Sequence, residues 1–260
     1  MKNSALIGHT GFVGSNLDQQ AEFQHKYNSS NFTEMRGQTY DTVVCAGVSA
    51  VKWKANKDPK ADWAEIEALL NVLKTVQVKR FILISSIDVY AQTKDLDERF
   101  DCASVENHAY GRHRLKVEQF CREHFDNCYV VRLPGLFGQN LKKNVIYDLL
   151  NDNCLEMINP KSSIQYYDLK HLWDDIEAMH TQDITLANFF TEPVGTSEIL
   201  ERFFSEKQVG QAPAGEVHYD LKTIHAGLRG RESSAYLYSK AEILSDMAMF
   251  IEKSKRKVSE

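Results

Sequence analysis

The stretch Ala5-Leu6-Ile7-Gly8-His9-Thr10-Gly11-Phe12-Val13-Gly14-Ser15-Asn16-Leu17 decides the fold. Ala5 to Ile7 is a short apolar run that reads as a buried parallel strand. It breaks at Gly8, and glycines recur at Gly11 and Gly14 before a helical pattern begins. Strand, tight turn and helix in that order need glycine three times. Gly8 lets the chain turn, Gly11 lets backbone approach a pyrophosphate, and Gly14 lets helix pack on strand. The phosphates would then face the N–H groups and the positive dipole end of the helix. Thr10, Phe12 and Val13 complete the turn and join the three glycines as candidate dinucleotide contacts. The spacing is G-x-x-G-x-x-G, one residue different from the G-x-G-x-x-G of ordinary dehydrogenases. A glycine turn that merely joins strand to helix is the competing reading.

Composition narrows the class around that turn. A chain of 260 residues suits one large α/β domain, or a nucleotide domain with a small appendage. The net charge of −5 gives no electrostatic case for a nucleic-acid or anionic-membrane partner. No apolar stretch reaches the roughly 20 residues that a membrane-spanning helix needs. The first apolar run is cut by His9 and the glycines, which is not a secretory pattern. The five cysteines are odd in number and form no C-x-x-C pair. Reduced, mostly buried thiols in a cytoplasmic protein are expected, with no metal site.

After the glycine turn, residues 15–23 read as the first helix and 24–27 as a short second strand. That strand ends at Asn28-Ser29-Ser30-Asn31. NAD-specific folds usually place an acid here, to accept from the adenosine ribose hydroxyls. None is present. Asn28, Ser29 and Ser30, with Lys26 and Arg36 nearby, tolerate a 2′-phosphate better than a carboxylate would. The cofactor is therefore NAD or NADP with a lean to NADP, unless these residues form only a turn. Residues 41–47 are a clear strand ending at Ala46-Gly47, so any unit between is trimmed to a single turn or short helix.

Residues 51–59 read as a polar loop carrying Trp53, Lys54 and Asn56. Asp62 is expected to cap a helix whose stripe Trp63, Ile66, Leu69, Leu70, Leu73 and Val76 is core. Residues 81–84 are another buried strand, which delivers Ser85-Ser86-Ile87-Asp88-Val89-Tyr90 to the same sheet edge. A helix from Tyr110 and a strand over 129–133 follow, leading into Pro134-Gly135-Leu136-Phe137-Gly138. Apolar strands alternating with helices argue an α/β fold with a doubly wound parallel sheet.

Beyond Gly138 the pattern loosens. Helices are expected over 144–150, 172–180, 197–204 and 240–253, with an extended piece at 164–167 and a late strand over 186–190. The tail from Lys253 is charged enough to fray. Residues 1–140 are expected to form the dinucleotide-binding domain, with 184–196 rejoining its sheet. Residues 141–183 and 197–260 are expected to form a small C-terminal substrate lobe.

Taken in order, Gly8-x-x-Gly11-Phe12-Val13-Gly14, Cys45-Ala46-Gly47, Ser85-Ser86-Ile87-Asp88-Val89-Tyr90, Tyr110-Gly111 and Arg132-Leu133-Pro134-Gly135-Leu136-Phe137-Gly138 carry a resemblance. The chain resembles the extended short-chain dehydrogenase/reductase superfamily, in its NAD-dependent epimerase/dehydratase branch. That branch acts on nucleotide sugars, and the likeness runs from residue 1 to about 200. It implies a Rossmann fold, an NAD(P) cofactor and a nucleotide-activated sugar as substrate.

In that family a Ser or Thr, a Tyr and a Lys four residues after the Tyr carry the chemistry. The first two positions fall on Ser86 and Tyr110. The tyrosine hydroxyl exchanges a proton with a substrate oxygen while hydride moves between that carbon and the nicotinamide. Its ordinary pKa near 10 has to fall for it to act as a base near pH 7. The lysine position is Arg114, which keeps the charge but cannot deprotonate. Lys116 cannot stand in, because position i+6 lies about 240° round the helix while i+4 lies about 40° from the tyrosine.

Dehydratases of this family place two carboxylates directly after the Ser/Thr. Here those positions are Ile87 and Asp88, which favours epimerisation or keto reduction over dehydration. The resemblance also puts Ala46, Gly47 and Pro134 at the cofactor. Asp88, Lys143, Asn144, Gln165 and Tyr166 fall on substrate positions. His113 reads as a surface residue. Relatives often dimerise through a four-helix bundle, for which helices 62–76 and 110–125 would serve in a homodimer; both stripes equally suit packing on their own sheet. Two functions remain open. One is an NAD(P)-dependent epimerase or keto-reductase; the other is a catalytically impaired dinucleotide-binding protein, a redox sensor or partner subunit, because the lysine is Arg114.

Overall fold

The apolar runs of the first half become strands, and the segments between them return the chain to one edge of a common sheet. In the computed structural model, which describes residues 3–231 and 233–258, the order begins β1 (Ser4–Ile7), α1 (Phe12–Gln20), β2 (His25–Tyr27), β3 (Thr39–Cys45) and α2 (Lys52–Lys57). It continues with α3 (Pro59–Leu73), β4 (Gln77–Ser86), α4 (Ala109–His124), β5 (Cys128–Leu133), β6 (Gly135–Phe137) and α5 (Val145–Asn151). The remainder is β7 (Ser163–Ile164), β8 (Tyr166–Asp168), α6 (Leu172–Thr181), β9 (Leu186–Asn188), β10 (Val194–Gly195), α7 (Thr196–Phe203) and α8 (Lys240–Val258).

Six strands pair in the order β2-β1-β3-β4-β5-β9, parallel throughout. The winding reverses between β1 and β3, and open α/β sheets bind ligands at the carboxyl ends of the strands at such a point. Only one short 3-10 turn, Phe32–Met35, separates β2 from β3, as a trimmed unit requires. One sheet face packs Ile66, Leu69, Leu70 and Leu73 of α3 and Val117 and Cys121 of α4 onto Ala5, Val43, Phe81 and Val130. Phe125, just past α4, stacks on Phe81 with ring centres 4.1 Å apart.

The chain divides into two units. The first takes in Met1–Gln92, Glu98–Leu133 and Lys170–Asn188; the second takes in Thr93–Asp97, Pro134–Leu169 and Phe189–Glu260. Within the second, β6 pairs with β8 and β10 with β7.

Several local expectations change. α1 begins at Phe12 rather than Ser15, because Gly11 itself is the N-cap. Residues 52–57 are the helix α2, not a loop. Asp58 caps α3, its carboxylate accepting from the Ala61 N–H at 3.0 Å with Pro59 in the first turn. Asp62 has a different use, described below. α6 belongs to the first unit, where the Trp173 N–H donates to Gln20 Oε1 of α1 at 3.0 Å. Of residues 184–196 only β9 joins the main sheet, and Phe189 packs in the second unit, 5.9 Å from the Tyr167 ring. α8 continues through Val258, past the expected fraying point; Ser259 and Glu260 lie outside the described residues. No helix among the described residues is long and apolar enough to cross a membrane.

Candidate functional site

The glycine turn is built from backbone packed on backbone. Gly8 has φ +86°, which favours glycine. Its N–H donates to Tyr27 O at 2.7 Å, and a Cβ there would stand 2.4 Å from Ala46 O. A Cβ on Gly14 would stand 2.0 Å from Gly8 O, so α1 touches the turn directly. Gly11 provides no side-chain cap, and the first turn of α1 holds no acid. A helix N-terminus of this kind, walled by glycine backbone, fits an anionic pyrophosphate. Thr10 is exposed, Phe12 and Val13 are half-buried, and Gly47 is exposed just past β3. Ala46 donates to Ile7 O at 2.9 Å, which holds the ends of β1 and β3 together.

Asn28 follows β2 directly. Its Oδ1 accepts from the Ser30 N–H at 2.8 Å and the Ser30 hydroxyl at 2.6 Å. Its amide lies 3.4 Å from His9 Nε2. Lys26 is drawn to Asp18 at 2.7 Å. The turn is thus self-satisfied and neutral, with Ser29 and Ser30 exposed.

The second half of the site hangs on α4. Tyr110, Arg114 and Glu118 recur every four residues and share one helix face. Ser85 at the end of β4 donates to Glu118 Oε1 at 2.5 Å, and Arg132 of β5 grips the same carboxylate with Nη2 at 2.7 Å of Oε2. Arg132 Nη1 in turn donates to the Tyr90 hydroxyl at 2.9 Å. This buried network fixes α4 against the ends of β4 and β5. Tyr110 opens α4, which packs against the loop that follows Ser86, and the Ser86 hydroxyl oxygen accepts from the Asp88 N–H in that loop at 3.1 Å. Gly111 allows that approach, since a Cβ there would stand 2.1 Å from Asp88 O.

Arg114 is the main surprise. Its guanidinium carbon lies 3.9 Å from the Tyr110 ring centre, as the i+4 spacing predicts. Nη1 and Nη2, however, donate to Asp62 at 2.6 and 3.1 Å, and Nη2 also donates to Ser49 O. Its Nε is buried and finds no acceptor among the described residues. Asp62 also meets His113 Nδ1 at 2.7 Å, so His113 is buried in a helix–helix ion cluster and is not a surface residue. Burial pushes the Asp62 carboxyl up, but the bonds and charges of Arg114 and His113 outweigh it and hold it below its ordinary value. Lys116 lies apart, 5.0 Å from the Trp63 ring.

Three further groups, Lys52, Asn56 and His108, complete the cluster. Lys52 of α2 meets Asp88 Oδ1 at 2.6 Å, and His108 Nε2 lies 4.0 Å from the same oxygen. Asn56 of α2 accepts from the Tyr110 N–H at 3.0 Å. Burial raises the Tyr110 hydroxyl above its ordinary value; Asp88 adds to that, while Arg114, Ser86 and Lys52 pull the other way. Burial and the Lys52 charge lower His108. The tyrosine thus holds its proton at neutral pH, opposite to the fall that base catalysis requires. No group of three or more His, Cys, Asp or Glu among the described residues is arranged to hold a metal ion.

The remaining candidates lie in the second unit. Pro134 is buried and Lys143 exposed. Asn144 caps α5, accepting from the Tyr147 N–H at 3.0 Å and donating to Leu136 O at 2.8 Å. Gln165 is fully buried, and its amide donates to Thr191 O at 2.6 Å and Leu221 O at 2.8 Å. Both amide hydrogens are committed to backbone. Tyr166 is buried too, with a hydroxyl that has no partner among the described residues.

A parallel sheet wound this way, with a glycine turn at its switch point, is the Rossmann-like arrangement of the extended short-chain dehydrogenases/reductases. The sequence matches the NAD dependent epimerase/dehydratase family over residues 27–181, more than half of the chain, and the chain belongs to that family. Similar solved structures include UDP-glucose 4-epimerase from Thermotoga maritima, with a TM-score of 0.71 at 16% identity over 99% of this chain and 100% of that one. UDP-glucuronic acid 4-epimerase from Bacillus cereus, in complex with UDP-glucuronic acid and NAD, has a TM-score of 0.72 at 14% identity over 97% and 99%. The dTDP-glucose 4,6-dehydratase DesIV from Streptomyces venezuelae, with NAD bound, has 0.71 at 12% over 96% and 97%. No protein of curated function matches by sequence. At these identities the likeness is one of fold.

Proposed function

We propose that the chain is an NAD(P)-dependent epimerase or keto-reductase of a nucleotide-activated sugar, with Tyr110 as general acid/base. The placement of the Ser86–Tyr110 pair, with Tyr110 at the start of α4 against the loop that follows Ser86, carries this reading. Ser86 stands at the carboxyl end of β4, one strand from β3, whose end borders the glycine turn. A dinucleotide bound on that turn supplies hydride chemistry. The protein's part is to hold the substrate oxygen at Ser86 and Tyr110 and to move its proton. A protonated Tyr110 suits donation to that oxygen as it gains charge. The buried Nε–H of Arg114 is a donor left for a ribose hydroxyl. The neutral turn at Asn28–Ser30 fits NAD or NADP and leans to NADP, since no acid faces a 2′-phosphate there. The second unit serves as the substrate lobe, and the absence of a second acid beside Asp88 disfavours dehydration.

A non-catalytic dinucleotide sensor is the second reading, favoured by the capture of Arg114 by Asp62. Tyr110→Phe separates the two. Turnover of nucleotide sugars falls about 10²–10⁴-fold with cofactor affinity nearly intact if Tyr110 transfers the proton. Unchanged turnover removes that role, and a wild-type protein that binds cofactor but turns over no nucleotide sugar leaves the sensor.

A further inference from the structure

The geometry points to Lys52 as a positioning residue for Tyr110, supplying from α2 the mobile cation that Arg114, held by Asp62, does not supply. This rests on the proposed role of Tyr110. The stretch from Ser49 to Asn56, which contains the start of α2, is fastened to the tyrosine's helix at two places. Asn56 accepts from the Tyr110 N–H at 3.0 Å, and Ser49, three residues before Lys52, accepts from Arg114. Between those ties, Lys52 Nζ reaches Asp88 at 2.6 Å. Asp88 is itself fixed to the site, its N–H donating to Ser86 Oγ at 3.1 Å. The ammonium therefore stands on the loop that α4 packs against, where Asp88 also meets Ser86 and lies 4.0 Å from His108, and its charge draws the Tyr110 hydroxyl and the His108 imidazole downward.

The two cations differ in what they can do. Arg114 lies against the face of the Tyr110 ring, is 4% exposed, and has its charge met by a buried carboxylate. Its guanidinium cannot give up a proton. The Lys52 side chain is 42% exposed and carries a rotatable ammonium with three donors. Held by Asp88, it brings a positive charge to the loop that α4 packs against. A positive charge there favours the tyrosinate left when Tyr110 gives its proton away. Asp88 holds Lys52 and opposes the same ionisation. Charged and titratable groups facing Tyr110 are thus Lys52, Asp88, His108 and Arg114, with Asp62 behind Arg114.

The test needs neither cofactor nor substrate, so its outcome is separate from that of the proposed activity. Protein labelled with carbon-13 at the tyrosine ring carbon bearing the hydroxyl is titrated by NMR, with Tyr110→Phe assigning the signal and circular dichroism confirming the fold. Asp88→Asn lowers the Tyr110 midpoint relative to wild type by removing the opposing charge. Lys52→Met added to Asp88→Asn raises it again by about half a unit or more, and Lys52→Arg in the same background restores it. Equal midpoints for Asp88→Asn with and without Lys52→Met overturn the proposal. So does a loss of the shift that Lys52→Arg fails to restore, which marks Lys52 as a packing residue.

Discussion

Asp62 of α3 receives both terminal nitrogens of Arg114 of α4, at 2.6 and 3.1 Å. The cation four residues after Tyr110 therefore belongs to the joint between two helices as much as to the site. Taking one partner from a buried ion pair leaves an uncompensated charge, at a cost of about 3–5 kcal/mol. Asp62→Asn is expected to lose stability on that scale in urea unfolding at pH 7.

The same pair sets an acid limit. The Asp62 carboxyl is held below its ordinary value in the folded chain. Its contribution is present above the unfolded value, near pH 4, and is lost as pH falls through the folded one. Between pH 5 and pH 2.5 the wild type is expected to lose more stability than Asp62→Asn. A constant difference between the two across that range contradicts the assignment.

Arg114→Lys restores the family's residue type without restoring its setting. A lysine replaces a planar fork with a single point charge, so one bond to Asp62 and the contact with Ser49 are lost. A destabilisation of about 1–3 kcal/mol is expected, read from the shift of the urea midpoint.

Gly111→Ala tests the joint between α4 and the loop after β4. The added Cβ would meet Asp88 O at 2.1 Å and Asn107 Nδ2 at 2.4 Å. Backbone has to move, at an expected cost of about 1–3 kcal/mol or more. Gly11→Ala, whose Cβ would meet only Gly8 O at 3.2 Å, is expected to cost less in thermal unfolding.

The thiols divide sharply. Burial pushes Cys45 and Cys102 up to about 11 and Cys128 up to about 12, and raises Cys121 as well. Cys154 is exposed. A thiol-reactive chromogenic disulfide is expected to label one cysteine quickly in native protein and five after denaturation.

What could be read in the sequence follows from how local each signal is. The backbone shape of the glycine turn, the apolar strands and the contact of Arg114 with the Tyr110 ring are set by neighbouring residues, and the structure holds all three. α2 was hidden because Lys-Trp-Lys-Ala-Asn-Lys buries only Ala55 and starts without a side-chain cap. Asp58 and Asp62 both suit an N-cap; Pro59 between them was the signal that places the start at Asp58. The ion cluster of Asp62, His113 and Arg114 joins residues about fifty apart on two helices. No periodicity announces such a pairing. Lys52 and Asp88, thirty-six apart, are hidden for the same reason.

The most direct measurement is calorimetric titration of the purified, cofactor-free protein with NAD, NADH, NADP and NADPH. Binding of at least one with micromolar affinity is expected from the glycine cradle at Gly8, Gly11 and Gly14, with NADP favoured by the neutral turn at Asn28. A folded protein that binds none of the four contradicts both the catalytic and the sensor readings.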